Sequence, residues 1–71
     1  MDADRLLATL GQRIRSLRAA RAFTLKELAE RADLSARFLV QLESGTANVS
    51  VRKLAALARA LGTTPAEQAR A

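Results

Sequence analysis

The sequence predicts an all-α fold of five short helices, and three observations support this. Apolar residues recur at helical spacing along the chain, residues suited to helix N-termini precede the apolar runs, and glycine follows two of them. With 71 residues, of which 49% are hydrophobic, the chain has enough apolar material for one small core. We therefore expect a single domain over residues 1–71.

The first two helices are marked by an apolar stripe and by a capping box. From about Asp4 to Ala20, apolar residues step by four, four and three positions and mark one face of a first helix: Leu6, Leu10, Ile14 and Leu17. A Thr-x-x-Glu sequence at Thr24–Glu27 predicts the N-terminus of the second helix. This helix should end near Asp33, and its inward residues should be Leu25, Leu28, Ala29 and Ala32.

Three further helices are predicted to follow, each with its own cap. Ser35 suits the N-cap of a third helix that ends at Gly45. Ser50 suits the N-cap of a fourth, whose apolar stripe and following glycine are Val51, Leu54, Leu57, Ala58, Leu61 and Gly62. The sequence Thr-Pro-Ala-Glu at residues 64–67 fits the cap and first turn of a short fifth helix.

Residues 24–44 have the spacing of a helix-turn-helix motif. Two helices that cross steeply over a short turn need a small residue at the crossing, and Ala29 is such a residue. The turn needs a residue that tolerates positive φ, and Asp33 is one of the few alternatives to glycine. Apolar residues occupy the other positions that the motif buries: Leu28, Leu34, Leu39 and Leu42.

Composition narrows the function classes. Cysteine and histidine are both absent, which excludes disulfides, the usual zinc sites and the commonest general base. The acidic residues show no spacing typical of acid–base catalysis, so we expect no enzyme, no cofactor and no metal site. No run of 18 apolar residues exists and the chain starts with acidic residues, which predicts a cytoplasmic protein.

The charge balance favours an anionic partner. Twelve Lys and Arg against seven Asp and Glu give a net charge of +5, which is typical of small domains that bind nucleic acid. Arginine predominates among the cations, and its planar guanidinium suits two-point contacts with phosphate or guanine.

Together these residues resemble the lambda-repressor-like, Cro/C1-type (XRE) family of DNA-binding domains. The resemblance is carried by residues 14–18, 24–35, 37–45, 48–51 and 54–62. Two subgroups are similar: the stand-alone controller proteins of restriction–modification systems, and regulators of aromatic-compound catabolism that add a shikimate-kinase-like domain. The resemblance implies a compact five-helix domain of bacterial or phage origin. It also implies a transcriptional regulator, such as a repressor, that binds double-stranded DNA as a homodimer on an inverted repeat.

The resemblance also implies which side chains meet DNA. The helix at residues 35–44 would lie in the major groove and contact bases through Ala36, Arg37, Phe38 and Gln41. Phosphate contacts are expected from helix N-termini and from the loop before the fourth helix: Thr24, Lys26, Ser35, Thr46, Asn48, Ser50, Arg52 and Lys53. The alternatives are a solvated surface at Arg37 and Gln41, and a packing role for Phe38 against the first helix or a partner subunit.

The chain departs from this family at one position and agrees with it at a pair of others. Many members place glutamine where this chain has Leu25, so the polar contacts at the start of the second helix must differ. An arginine in the first helix and a glutamate near the end of the third are retained as Arg18 and Glu43. We expect them to form a structural ion pair, from which removal of one partner is more costly than at a surface pair.

A second function class remains open. The same helices could form a protein-interaction module, such as an antitoxin or co-regulator domain, and an acidic or apolar third-helix face would favour it. An enzyme is the weakest of the alternatives. For a homodimer, apolar residues expected at the surface would supply the contact: Leu6, Leu7, Val51 and Leu61.

Overall fold

The computed structural model describes residues 2–62, which form four α-helices and no strand. The helices are α1 (Ala3–Ala20), α2 (Leu25–Ala32), α3 (Ala36–Glu43) and α4 (Val51–Ala60). The predicted all-α class is confirmed, whereas the fifth helix predicted at residues 64–67 lies outside the described residues. None of the described helices is long and apolar enough to cross a membrane.

Each helix begins at a side chain that accepts a backbone N–H left without a partner in the first turn. The hydroxyls of Thr24, Ser35 and Ser50 each accept the N–H three residues later, at 3.0 to 3.1 Å, as predicted. The carboxylate of Asp2 does the same for Arg5 at 2.7 Å. Because Asp2 is the N-cap, α1 begins one residue earlier than the sequence predicts.

The core is formed by all four helices and by one residue of the loop between α3 and α4. Five leucines are almost completely inaccessible to solvent: Leu28, Leu39, Leu42, Leu57 and Leu61. Smaller buried residues fill the space around them: Ile14, Ala29, Ala32, Ala47 and Ala58. At about 25 cal/mol per Å² of buried apolar surface, this leucine cluster is the main source of stability.

The expected exposure of Leu6 and Val51 at the surface is confirmed, although both belong to predicted apolar stripes. Leu6 is 56% exposed because it lies in the first turns of α1, beyond the point where Ala8 meets Gly45 after α3. Val51 is 85% exposed although it lies on the same face of α4 as Ala58. As the first residue of α4, it extends past the end of the core, so its position along the axis decides its burial.

The backbones of α1 and α3 are in direct contact, a feature that the sequence pattern does not reveal. A Cβ atom at Gly11 would overlap the carbonyl oxygen of Leu42 and lie 3.1 Å from that of Glu43. Just beyond α3, Gly45 has φ +80°, and a Cβ there would lie 3.0 Å from the Cα of Ala8. Because neither glycine has a Cβ atom, α1 can pack closely against α3 and against the turn that follows it.

Candidate nucleic-acid interface

The turn between α2 and α3 has the conformation that a helix-turn-helix requires. Asp33 ends α2 in the left-handed region, with φ 57° and ψ 46°. The N–H of Leu34 then donates to the carbonyl oxygen of Ala29 at 2.9 Å, which closes the end of the helix. Ala29 itself is 4% exposed, so the methyl side chain predicted at the crossing is buried there.

The exposed surface of α3 is a stripe of side chains spaced as one helical face. Leu39 and Leu42 are buried on the opposite side, which turns this stripe away from the core. We call it the α3 stripe, and its members are Arg37, Val40, Gln41 and Ser44. The predicted base-contacting residues Arg37 and Gln41 therefore share one face, and the exposed Ala36 lies at its edge.

Phe38 lies on the side of α3 that turns toward α4, outside the α3 stripe. Its ring is half-buried and packs against the core. The ammonium of Lys53 lies 4.4 Å from the ring centroid, a cation–π contact that occupies one face of the ring. This arrangement favours a packing role for Phe38. It also pairs Phe38 with Lys53, and both residues are predicted to contact DNA.

The first turns of α2, α3 and α4 carry a cation where helix electrostatics disfavours one. The second helical residue is Lys26 in α2, Arg37 in α3 and Arg52 in α4, and all three are exposed. The N-terminal end of a helix carries partial positive charge, so each cation there costs about 0.3–1 kcal/mol. In α1 the second helical residue is instead Asp4, near the N-cap Asp2, and the cation Arg5 follows one position later.

Two of the capping hydroxyls leave a hydrogen-bond donor available. In the caps of α3 and α4 the hydroxyl oxygen of Ser35 or Ser50 accepts a backbone N–H, so the hydroxyl proton can be donated to a phosphate oxygen. The Thr24 hydroxyl also accepts a backbone N–H, but its side chain in addition hydrogen-bonds with the Glu27 carboxylate. At Thr24 the cap is reciprocal, because the backbone N–H of Thr24 donates to the Glu27 carboxylate at 3.0 Å. This backbone hydrogen bond, followed by that to the Thr24 side chain, lowers the pKa of Glu27.

The loop after α3 holds its hydroxyls more tightly. The hydroxyls of Ser44 and Thr46 both reach the carbonyl oxygen of Gln41, at 2.9 and 3.2 Å, and lie 3.1 Å from each other. A phosphate at Thr46 would compete with these internal partners for the hydroxyl proton. Asn48, also predicted to contact phosphate, is exposed on the same loop.

Arg18 of α1 and Glu43 of α3 form an ion pair with two hydrogen bonds. The Nε of Arg18 donates to one carboxylate oxygen at 2.7 Å, and an Nη donates to the other at 3.1 Å. The second Nη donates to the backbone carbonyl of Phe23 at 2.8 Å. The hydrogen bond to Glu43 raises the pKa of Arg18, so the guanidinium stays charged at any pH at which the chain folds.

The side chains that are buried among the described residues are all apolar. No charged or polar side chain among residues 2–62 is fully buried, and no group of acidic residues there could hold a metal ion. The ionisable groups of this part of the chain are exposed or, at Arg18 and Glu43, largely buried in a pair.

Comparison with known proteins identifies this arrangement. The profile of the helix-turn-helix domain family matches residues 9–71. The chain belongs to the helix-turn-helix domain family. Its helix-turn-helix domain is also 44% identical over 54 residues to the immunity repressor protein of Bacillus phage phi105, a match that covers 76% of this chain. The match covers only 38% of that repressor's length.

Two solved structures are similar to the helix-turn-helix domain in both fold and sequence. The restriction–modification controller protein C.AhdI from Aeromonas hydrophila is 36% identical, with a TM-score of 0.82 over 86% of this chain and 92% of the other. The clp gene regulator ClgR from Corynebacterium glutamicum is 43% identical, with a TM-score of 0.82 over 86% and 78%.

These findings confirm the resemblance to repressor-like domains and to restriction–modification controllers. The helix-turn-helix domain is a DNA-binding domain of the transcriptional-regulator type and not an enzyme. The likeness to aromatic-catabolism regulators stays a prediction.

Proposed function

We propose that the helix-turn-helix domain belongs to a transcriptional regulator that binds an inverted-repeat operator as a homodimer, with α3 in the major groove. The observation that carries this proposal is the α3 stripe, which is exposed while the opposite face of α3 is buried in the core. A helix held in this way can enter the groove without unpacking the domain.

The α3 stripe supplies the base contacts in this proposal. The guanidinium of Arg37 can donate to O6 and N7 of guanine, and the amide of Gln41 can pair with N6 and N7 of adenine. Ala36 offers a methyl group at the edge of the stripe. Phe38 acts mainly by holding the start of α3 against Lys53 and the core.

Phosphate contacts come from the first turns of three helices. Arg52 lies beside the capping hydroxyl of Ser50, whose proton can be donated, so this end offers both charge and a hydrogen bond. At the start of α2, Lys26 offers charge beside Thr24, which remains a proposed phosphate contact. The remaining proposed phosphate contacts are Ser35, Thr46, Asn48 and Lys53. An anionic backbone at these ends would offset the unfavourable position of the cations in the free protein.

Dimerisation would place two copies of α3 about 34 Å apart, one turn of DNA. The exposed Leu6 and Val51 and the half-buried Leu7 are candidates for the contact between copies. Leu61 is not, because it is 1% exposed and already part of the core. The proposed domain spans residues 1–71. A cytoplasmic location stays a prediction.

Selection of bound duplexes from a random pool, at two salt concentrations, tests the proposal. We expect enrichment of an inverted repeat whose half-sites are one helical turn apart. Enrichment of a single half-site would contradict the homodimer. Binding without enrichment, lost steeply as salt rises, would contradict base reading and leave phosphate contact alone. Absence of binding would favour the protein-interaction module.

A further inference from the structure

Val40 is an apolar residue in the middle of a surface that is otherwise polar. It is 53% exposed and lies between Arg37 and Ser44 on the α3 stripe. Valine is stiff at χ1 and has a lower helix propensity than alanine or the long polar residues, so an exposed helix position does not favour it. Neither core packing nor helix formation therefore explains valine at this position.

A second aliphatic side chain lies beside it. Val40 and Leu25 form the apolar part of a shallow hollow of about 280 Å³ between α1, α2 and α3. The polar rim of this hollow consists of Arg15, Arg18, Glu43 and Ser44. The surface next to Arg37 thus combines exposed methyl groups with charged groups around them, a combination that suits a small apolar group on an anionic molecule.

Phe38, the larger apolar residue of α3, is less able to meet such a group. One face of its ring is covered by the ammonium of Lys53, and the ring is half-buried against the core. Val40, by contrast, is 53% exposed, so about half of its surface is accessible to a ligand.

We propose that Val40, supported by Leu25, contacts the C5 methyl group of a pyrimidine in the major groove and thereby helps to select the DNA sequence. The inference rests on the function proposed above. Val40 lies three residues after Arg37, which is about 4.5 Å along α3 and close to the 3.4 Å step between base pairs. Its target is therefore a base pair next to, or one removed from, the pair that Arg37 contacts.

Two bases carry this methyl group in the major groove, thymine and 5-methylcytosine. Thymine is tested by replacing each thymine of the selected duplex, one at a time, with deoxyuracil, which removes only the methyl group. We expect one such replacement to weaken binding about three- to fivefold, the factor for one buried methyl group. 5-Methylcytosine is tested by methylating each cytosine in turn, and if it is the target, one methylation should strengthen binding by a similar factor.

The variant Val40→Ala should bind the two forms of the duplex equally at that position. Ser16→Ala is the control, because it shortens an exposed side chain on α1, outside the α3 stripe and the proposed contact between copies. It should keep the full response to the methyl group. Circular dichroism should show the same helix content for both variants, since neither Val40 nor Ser16 belongs to the core.

Three outcomes are distinguishable. A methyl effect in the parent chain that disappears in Val40→Ala and persists in Ser16→Ala supports the inference. Sequence-specific binding with no methyl effect at any position, or an effect unchanged in Val40→Ala, overturns the inference and leaves the proposed function standing. Failure to select any duplex overturns the proposed function, and the inference with it.

Discussion

Helix α1 and the first turns of α2, α3 and α4 differ in how their residues affect the stability of the fold. In α1, the acidic N-terminus, the glycine at the contact with α3 and the paired arginine all stabilise the folded chain. In the other three first turns, exposed cations at Lys26, Arg37 and Arg52 oppose the helix dipole and cost stability. The difference supports the proposal that the three first turns meet an anionic partner, while α1 stabilises the domain.

The strongest test of the supporting role of α1 is Gly11→Ala. Because the new Cβ would overlap the carbonyl oxygen of Leu42, α1 and α3 must separate. We expect a loss of about 3 kcal/mol in the free energy of unfolding, measured by urea denaturation. Ser16→Ala, at an exposed position of the same helix, should change it by less than about 0.5 kcal/mol. An unchanged midpoint for Gly11→Ala would show that the helices are not in contact.

Next in size is removal of the ion pair between α1 and α3. Glu43→Ala leaves the Arg18 guanidinium without its partner in a site where its side chain is 18% exposed. We expect a loss of about 2 kcal/mol, less than for a fully buried pair. Arg18→Lys keeps the charge but loses the two-point contact, so it should be intermediate. In a double-mutant cycle with Arg18→Met and Glu43→Ala, additive losses would contradict the coupling.

Substitutions of the cations in the first turns of α3 and α4 should weaken DNA binding and leave the fold stable, unlike the changes at the contact between α1 and α3. Arg37→Ala should weaken binding to the selected duplex by about 1–3 kcal/mol and relax the preference at one base pair. Arg52→Ala should weaken selected and random duplexes alike and flatten the salt dependence by about 0.9 per phosphate lost. Neither change should lower the free energy of unfolding, since each removes an unfavourable charge. Equal losses on both duplexes for Arg37→Ala would contradict its base-reading role.

The smallest effect expected is a pH dependence at the cap of α2. Hydrogen bonds from Thr24 lower the pKa of Glu27 below its ordinary value of 4.5. Its contribution to stability is therefore complete above pH 4.5 and is lost as the pH falls through the lowered value. Glu27→Gln retains a capping side chain that does not titrate. Urea denaturation from pH 7 to pH 3 should show the free energies of unfolding of the parent chain and of Glu27→Gln converging as the pH falls. A difference that stays constant would contradict this account.

The features that could be predicted from the sequence depend on residues close together in the chain. The caps at Thr24, Ser35 and Ser50 and the left-handed turn at Asp33 each involve neighbours within five positions, so their sequence pattern is sufficient. The burial of Gly11 is different, because it depends on the residues of α3 that pack against α1.

The same distinction applies to the candidate site. The helical register indicates that Arg37 and Gln41 share a face, and the structure places them on one. It does not indicate that Lys53 of α4 covers the ring of Phe38, since this depends on how two helices pack. Val40 lies outward in the register, but an apolar side chain has no hydrogen bond to offer a base, so only its exposure beside Leu25 draws attention to it. Whether the proposed contacts reach DNA stays a prediction.

The separation between the two faces of α3 bears on how domains of this kind diversify. Within the described chain, the side chains of Arg37, Val40 and Gln41 form no hydrogen bond or ion pair that holds the fold, whereas Leu39, Leu42 and Glu43 hold α3 in place. Substitutions on the exposed face can therefore accumulate at little cost in folding. A duplicated copy could acquire a new target by a few such changes, while the rest of the domain remained under purifying selection.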